Sequence, residues 1–185
     1  MKHSILVIFL FGFFFASAQQ ESSKNTAAAN WSSVSRTNYS IKCPSHWIID
    51  TANSKLFGTD VIIFSTLSST TDKFKENINL IVEDLQGQDV SLEKYVTLAT
   101  SGIKKIIDDV EIIESATLKQ GNREFQKLVF RGTQGDFDLK TIQYYFMSNG
   151  NVYVLTFTAE NSEFDKYKNE AESILNSFRI NNPKV

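Results

Sequence analysis

The dipeptide Asn149-Gly150 lies between two runs in which apolar and polar residues alternate. A two-residue hairpin turn needs positive φ at both central positions, and Asn-Gly supplies that with little strain. The chain must therefore double back here, with residues 139–148 and 152–159 as antiparallel neighbours. In the second run Val152, Val154, Thr156 and Thr158 share one face, and Tyr153, Leu155, Phe157 and Ala159 share the other. The first set is the more polar. In the first run Tyr145 opposes Tyr144 and Phe146. A sheet with large side chains on both faces needs a cover on each.

The rest of the chain supplies more strands and two helices to cover them. Residues 39–43, 61–66 and 78–85 read as strands, with Ile78, Leu80 and Val82 on one face, and Trp47, Ile48 and Ile49 form a short apolar piece. Residues 110–119 and 123–132 are two more, joined by a turn at Gln120-Gly121-Asn122. In the latter, alternation slips by one between Phe125 and Leu128, the mark of a candidate bulge. Between the strand groups the period changes. Ser91 is a good N-cap, and Leu92, Tyr95, Val96, Ala99, Ile103 and Ile106 recur at helical spacing through about residue 107. A second helix is expected after Ser162 as its cap, burying Phe164, Tyr167, Ala171, Ile174, Leu175 and Phe178. Strands, helix, strands, helix make an α+β domain: one antiparallel sheet flanked by helices on both faces, an α/β/α sandwich.

The first residues bound the compartment. Lys2 and His3 precede an apolar run over residues 5–15, and Ala16-Ser17-Ala18 places small residues for cleavage before Gln19. That is the pattern of a secretory signal peptide, and the run is shorter than the roughly 20 apolar residues a membrane span needs. The expected organisation is a signal peptide over 1–18, a flexible polar leader over 19–37, one domain over 38–181 and a tail over 182–185. The expected location is periplasmic or extracellular, with no integral membrane segment after cleavage. A net charge of −2 without a basic block argues against nucleic acid as a partner. The single cysteine, Cys43, allows no internal disulfide and reads as a small buried hydrophobe.

Residues able to carry chemistry are few. After cleavage His46 is the remaining histidine, so any Cys–His pair would have to join it to Cys43 across Pro44, in an expected turn. No phosphate-binding, dinucleotide-binding or nucleophile-elbow motif occurs. Carboxylates gather at Asp108, Asp109, Glu111 and Glu114, the weak candidates for a divalent cation and, through Asp109 and Glu111, for a hydrolase. Otherwise no cofactor is expected. Phe57 and Phe74 fall in expected loops and Trp31 in the leader, which makes them candidates for a partner surface.

Several stretches together resemble the PsbP-like superfamily. They are Tyr39-Ser40-Ile41-Lys42-Cys43-Pro44-Ser45-His46-Trp47, Ser91-Leu92-Glu93-Lys94-Tyr95, Phe130-Arg131-Gly132, Tyr153-Val154-Leu155-Thr156-Phe157-Thr158-Ala159 and the closing helix over 164–178. That superfamily includes the extrinsic oxygen-evolving protein of photosystem II, a Ran-binding nuclear-import factor and many exported bacterial proteins. The resemblance covers residues 38–180 and implies the same sandwich and a binding or assembly role. The motifs are core and turn positions, so the resemblance assigns no activity. The expectation is a non-enzymatic module that binds an envelope protein. Its rivals are a carrier of a small molecule or cation, with a pocket between sheet and helix, and a carboxylate-dependent hydrolase.

Overall fold

The computed structural model describes residues 30–67, 69 and 72–181. The expected signal peptide, the leader up to residue 29 and the tail lie outside these residues. Among the described residues the strands are β1 (Trp31–Ser35), β2 (Tyr39–Pro44), β3 (Ile48–Asp50), β4 (Val61–Phe64), β5 (Asn77–Asp84), β6 (Asp108–Gln120), β7 (Arg123–Gln134), β8 (Phe137–Ser148), β9 (Asn151–Glu160) and β10 (Arg179–Ile180). The helices are α1 (Leu92–Ile106) and α2 (Phe164–Asn176), with a single 3₁₀ turn at Ser54–Phe57. Seven strands form an antiparallel sheet in the order β3-β4-β5-β9-β8-β7-β6, and β1-β2-β10 form a smaller one.

The Asn149-Gly150 turn is as the sequence demands, with φ of 51° and 73°. It places Tyr145 opposite Val154 and Phe146 opposite Tyr153. Even-numbered residues of β8 and odd-numbered residues of β9 then face α2 and the small sheet. Here Ile142, Tyr144, Phe146, Tyr153, Leu155 and Phe157 pack with Ile41, Cys43, Ile174, Leu175 and Phe178. On the opposite face Tyr95, Val96, Ala99 and Ile103 of α1 pack on Leu128, Phe130, Tyr145, Val152 and Val154. The sheet is thus covered on both sides. The α2 side carries the larger core because the small sheet completes it.

Four local expectations are corrected. The slip between Phe125 and Leu128 is no bulge, since β7 pairs with β8 in unbroken register. Phe125 and Val129 face the α2 core while Leu128 and Phe130 face α1, so each residue serves its own face. The irregularities sit in the partner strand β6, between Asp108 and Glu111 and between Ile112 and Glu114. The leader expected to run to residue 37 contains β1, which pairs along the length of β2 and buries Val34. Its serines hid the alternation. Ile106 is 56% exposed, because α1 ends there and Ile107 turns inward instead. Finally, Glu163 and not Ser162 occupies the cap position of α2, without a side-chain cap bond. The Glu163 N–H is drawn to Glu160 O at 3.0 Å by the turn leaving β9, which delays the helix by one residue.

Candidate functional site

The face of the sheet that α1 covers is longer than α1. Beyond the C-terminal end of the helix, the central strands exchange apolar residues for amides and hydroxyls. Register places them in two rungs. Gln143 faces Thr156, which faces Asn79. Thr141 faces Thr158, which faces Asn77. Strand alternation puts all six on one side. With Gln134, Phe130, Leu139, Ile107 and Gly132, five of them (all but Gln143) line a small concavity of about 20 Å³, room for about one water molecule.

Burial here is strong. Asn79, Thr141, Gln143 and Thr156 are each 5% exposed or less. Buried polar groups in proteins are nearly always hydrogen-bonded. Gln143 obeys this: its Oε1 accepts from the Tyr145 hydroxyl and its Nε2 donates to Thr156 Oγ1 at 3.1 Å. Asn77 Nδ2 donates to Lys75 O at 3.2 Å. The side chains of Asn79, Thr141, Thr158 and Gln134 make no hydrogen bond to a described residue, and they line the concavity. They are donors and acceptors directed at a space, and no ionisable side chain joins them there.

Gly132 shapes one wall. A Cβ on it would lie 2.6 Å from Ile107 Cγ2 and 2.8 Å from Asp108 O. Its bare Cα lets the α1–β6 connection descend onto the sheet. Asp109, at φ 51°, takes up the first irregularity of β6 beside it. The sequence pointed to the polar face of β9, but the matching Asn77, Asn79, Thr141 and Gln143 were not singled out. The available signal was hydrophilic residues at inward positions of otherwise apolar strands.

The fold is paralleled elsewhere. Residues 30–180 match the family model described as PsbP. The chain belongs to the PsbP family. Among solved structures it is similar to cyanobacterial PsbP (CyanoP) from Synechocystis, with a TM-score of 0.61 and 17% identity, covering 87% of this chain and 98% of that one. It is also similar to LpqN of Mycobacterium tuberculosis, described as involved in cell envelope biogenesis, with a TM-score of 0.57 and 14% identity over 85% of this chain and 87% of that one. No curated relative matches it in sequence. At these identities the likeness is one of fold.

This PsbP domain scatters the other candidate residues. Cys43 is fully buried, and burial pushes its thiol up to about 11, which suppresses the thiolate a nucleophile requires. His46 is exposed and engages Glu170 instead, with Nε2 3.0 Å from Oε1. The same carboxylate accepts from Trp47 Nε1 at 2.8 Å. Glu111 is paired with Arg131 at 2.7 Å and Glu114 with Lys127 at 3.1 Å. Asp108 and Asp109 open β6, and among the described residues no three His, Cys, Asp or Glu side chains gather to hold a metal. Of the aromatic candidates, Phe74 is buried against Phe137, with ring centroids 5.3 Å apart, so it offers no surface. Its loop folds inward because a ring that size is better shielded from water. Phe57 is half-buried at the end of the 3₁₀ turn, and Trp31 is 44% exposed at the start of β1.

Proposed function

We propose that this PsbP-family domain is an exported, non-enzymatic binding module of the cell envelope, and that it binds through the polar concavity beyond α1. The observation that carries the reading is that two deeply buried polar side chains, Asn79 and Thr141, make no hydrogen bond to a described residue and, with the half-buried Thr158 and Gln134, face one small space. Such groups are costly to bury unless something hydrogen-bonds to them. A ligand's polar group, entering in place of water, supplies those bonds. The absence of charge in the lining selects a neutral group, a hydroxyl or amide. The small volume selects one protruding group and leaves the rest of the ligand outside. The signal-like start of the sequence and the envelope role stated for LpqN support the location.

The test is titration of the chain with neutral hydroxyl and amide compounds, followed by amide NMR shifts. The expected result is saturable shifts at Asn79, Thr141 and Thr156 that Thr141→Val weakens about tenfold, the scale of one well-made hydrogen bond in a buried site. Shifts that do not saturate, or that survive Thr141→Val unchanged, would sink the site.

A second reading rests on Trp31, a half-exposed aromatic on the edge strand of the small sheet. It favours a protein partner docking there. Cross-linking to envelope fractions separates the two: dependence on Trp31 supports protein docking, and dependence on Thr141 supports the concavity.

A further inference from the structure

Three of the chain's four arginines stand at one end of the sheet, and none has a carboxylate partner among the described residues; the fourth, Arg131, is held by Glu111. Arg36 lies in the β1–β2 turn, and its carbonyl accepts from Asn181 Nδ2 at 3.0 Å, just past β10. Arg179 opens β10 opposite Ser40 of β2. Arg123 opens β7 after the Gly121-Asn122 turn. Arg123 and Arg179 line an open groove of about 470 Å³ with Gln120, Gly121, Asn122 and Ile180, none of which carries a charge.

The groove is held in shape. Gln120 Nε2 donates to Asn176 O at 3.0 Å and ties the hairpin to the end of α2. Arg179 Nη1 donates to Asn176 O and Phe178 O, each at 2.7 Å. Those bonds fix the guanidinium plane and leave its Nε and Nη2 donors without a partner among the described residues. Arg123 makes no hydrogen bond to a described residue, and Arg36 gives only Nη1 to Ser35 O at 3.2 Å. Two carboxylates also reach this end: Glu124, next to Arg123, is paired with Lys119 at 3.3 Å, and Asp60 acts on the Tyr39 and Tyr153 hydroxyls, as Arg36 acts on the first and Arg123 on the second. Asp60 Oδ2 is occupied by the Val82 N–H at 3.0 Å. The groove lining itself carries two cations and no carboxylate, on a chain of net charge −2.

We infer that this groove is an oxyanion site, taking a phosphate group with Arg123 and Arg179 as its donors and Arg36 as a further charge. The guanidinium fork matches the spacing of phosphate oxygens and binds them in pairs. The groove shares no lining residue with the concavity beyond α1, so the two sites stand or fall separately.

The experiment titrates the chain with inorganic phosphate, with sodium chloride at equal ionic strength and with vesicles of phosphatidylglycerol, following backbone and arginine Nε NMR signals. Saturable shifts at Gly121, Asn122, Arg123 and Arg179 with phosphate by about 10 mM, an affinity of the scale two charged hydrogen bonds provide, support the site. Shifts with vesicles alone also support it and identify a lipid headgroup as the source. Arg123→Gln and Arg179→Gln are each expected to weaken binding about tenfold. Arg179 is exposed and Arg123 half-buried, and neither belongs to a core cluster, so both variants are expected to fold. Shifts matched by sodium chloride, or unchanged in both variants, would overturn it.

Discussion

Glu76 is the residue whose environment is least explained by the fold. It is 1% exposed, its Oε2 accepts from the Ser65 hydroxyl at 2.9 Å, and its Oε1 has no hydrogen-bond partner among the described residues. Burial raises its pKa above the ordinary carboxylate value, and Asp72 and Glu163 add to that shift against the lowering effect of its hydrogen bonds. The sign of the consequence follows from proton linkage. The folded state holds this proton more tightly than the unfolded chain, whose carboxyl titrates near 4.5. The stability it contributes is therefore present below that value and is lost as pH rises from there through the folded pKa. Glu76→Gln, which stays neutral, is expected to raise stability at neutral pH by about 1–2 kcal/mol, the scale of an unmet buried polar group. It should also flatten the fall of Tm with rising pH. Thermal melts of both chains across an acid-to-neutral series check this, and a variant less stable at neutral pH would refute it. No periodicity could reveal Glu76. Its position next to Asn77 looks like the polar end of a strand, and only the inward fold of the preceding segment buries it.

Among the elements, the β6–β7 hairpin joins local geometry to the candidate site. Gly132 faces the α1–β6 connection at a distance that no side chain tolerates. Gly132→Ala is expected to cost about 1–3 kcal/mol through overpacking, since one of the opposing atoms is a backbone oxygen that cannot move aside cheaply. It should also perturb the amide signals of Asn79 and Thr141 across the concavity. Urea unfolding and an amide spectrum report both effects. A stability equal to that of the parent chain would show that the connection yields freely. The helices were the most legible elements. α1 begins after Ser91, whose Oγ accepts from Lys94 N at 3.2 Å, and its buried stripe matches the apolar spacing except at Ile106. The strand β1 was the least legible. Trp31-Ser32-Ser33-Val34-Ser35 has one buried apolar position, too little alternation to separate a strand from a polar leader.

For the whole molecule, that strand decides how much chain the domain needs. β1 completes the small sheet on the α2 side, pairing with β2 from Trp31–Pro44 to Ser35–Ser40. A chain beginning at Thr37 is therefore expected to have a lower urea midpoint than one beginning at Asn30, because β2 loses its neighbour and Ile41 and Cys43 lose part of their cover. Equal midpoints would mean that β1 adds no stability. The same layer explains the size of the larger core, in which Tyr39 packs on Phe178 and Tyr153 with ring centroids 6.1 and 6.4 Å away.

The amino-acid sequence by itself determined the strands β5 to β9, the Asn149-Gly150 reversal, the two helices and the need for cover on both faces of the sheet. These are local properties: a turn with positive φ, a period of 2 or 3.6, a cap. The tertiary structure decided which polar residues share a space. Asn79, Thr141 and Thr156 are far apart in the chain and meet only through cross-strand register. Arg123 and Arg179 share a groove only because β10 returns to β2 beside the β6–β7 turn. It also decided against the loop aromatics, since whether Phe74 faces water or Phe137 depends on where a non-adjacent strand lies. Periodicity reports the face a residue takes on its own element. The neighbour on that face is set by how the elements pair, and the candidate sites of this protein lie at that level.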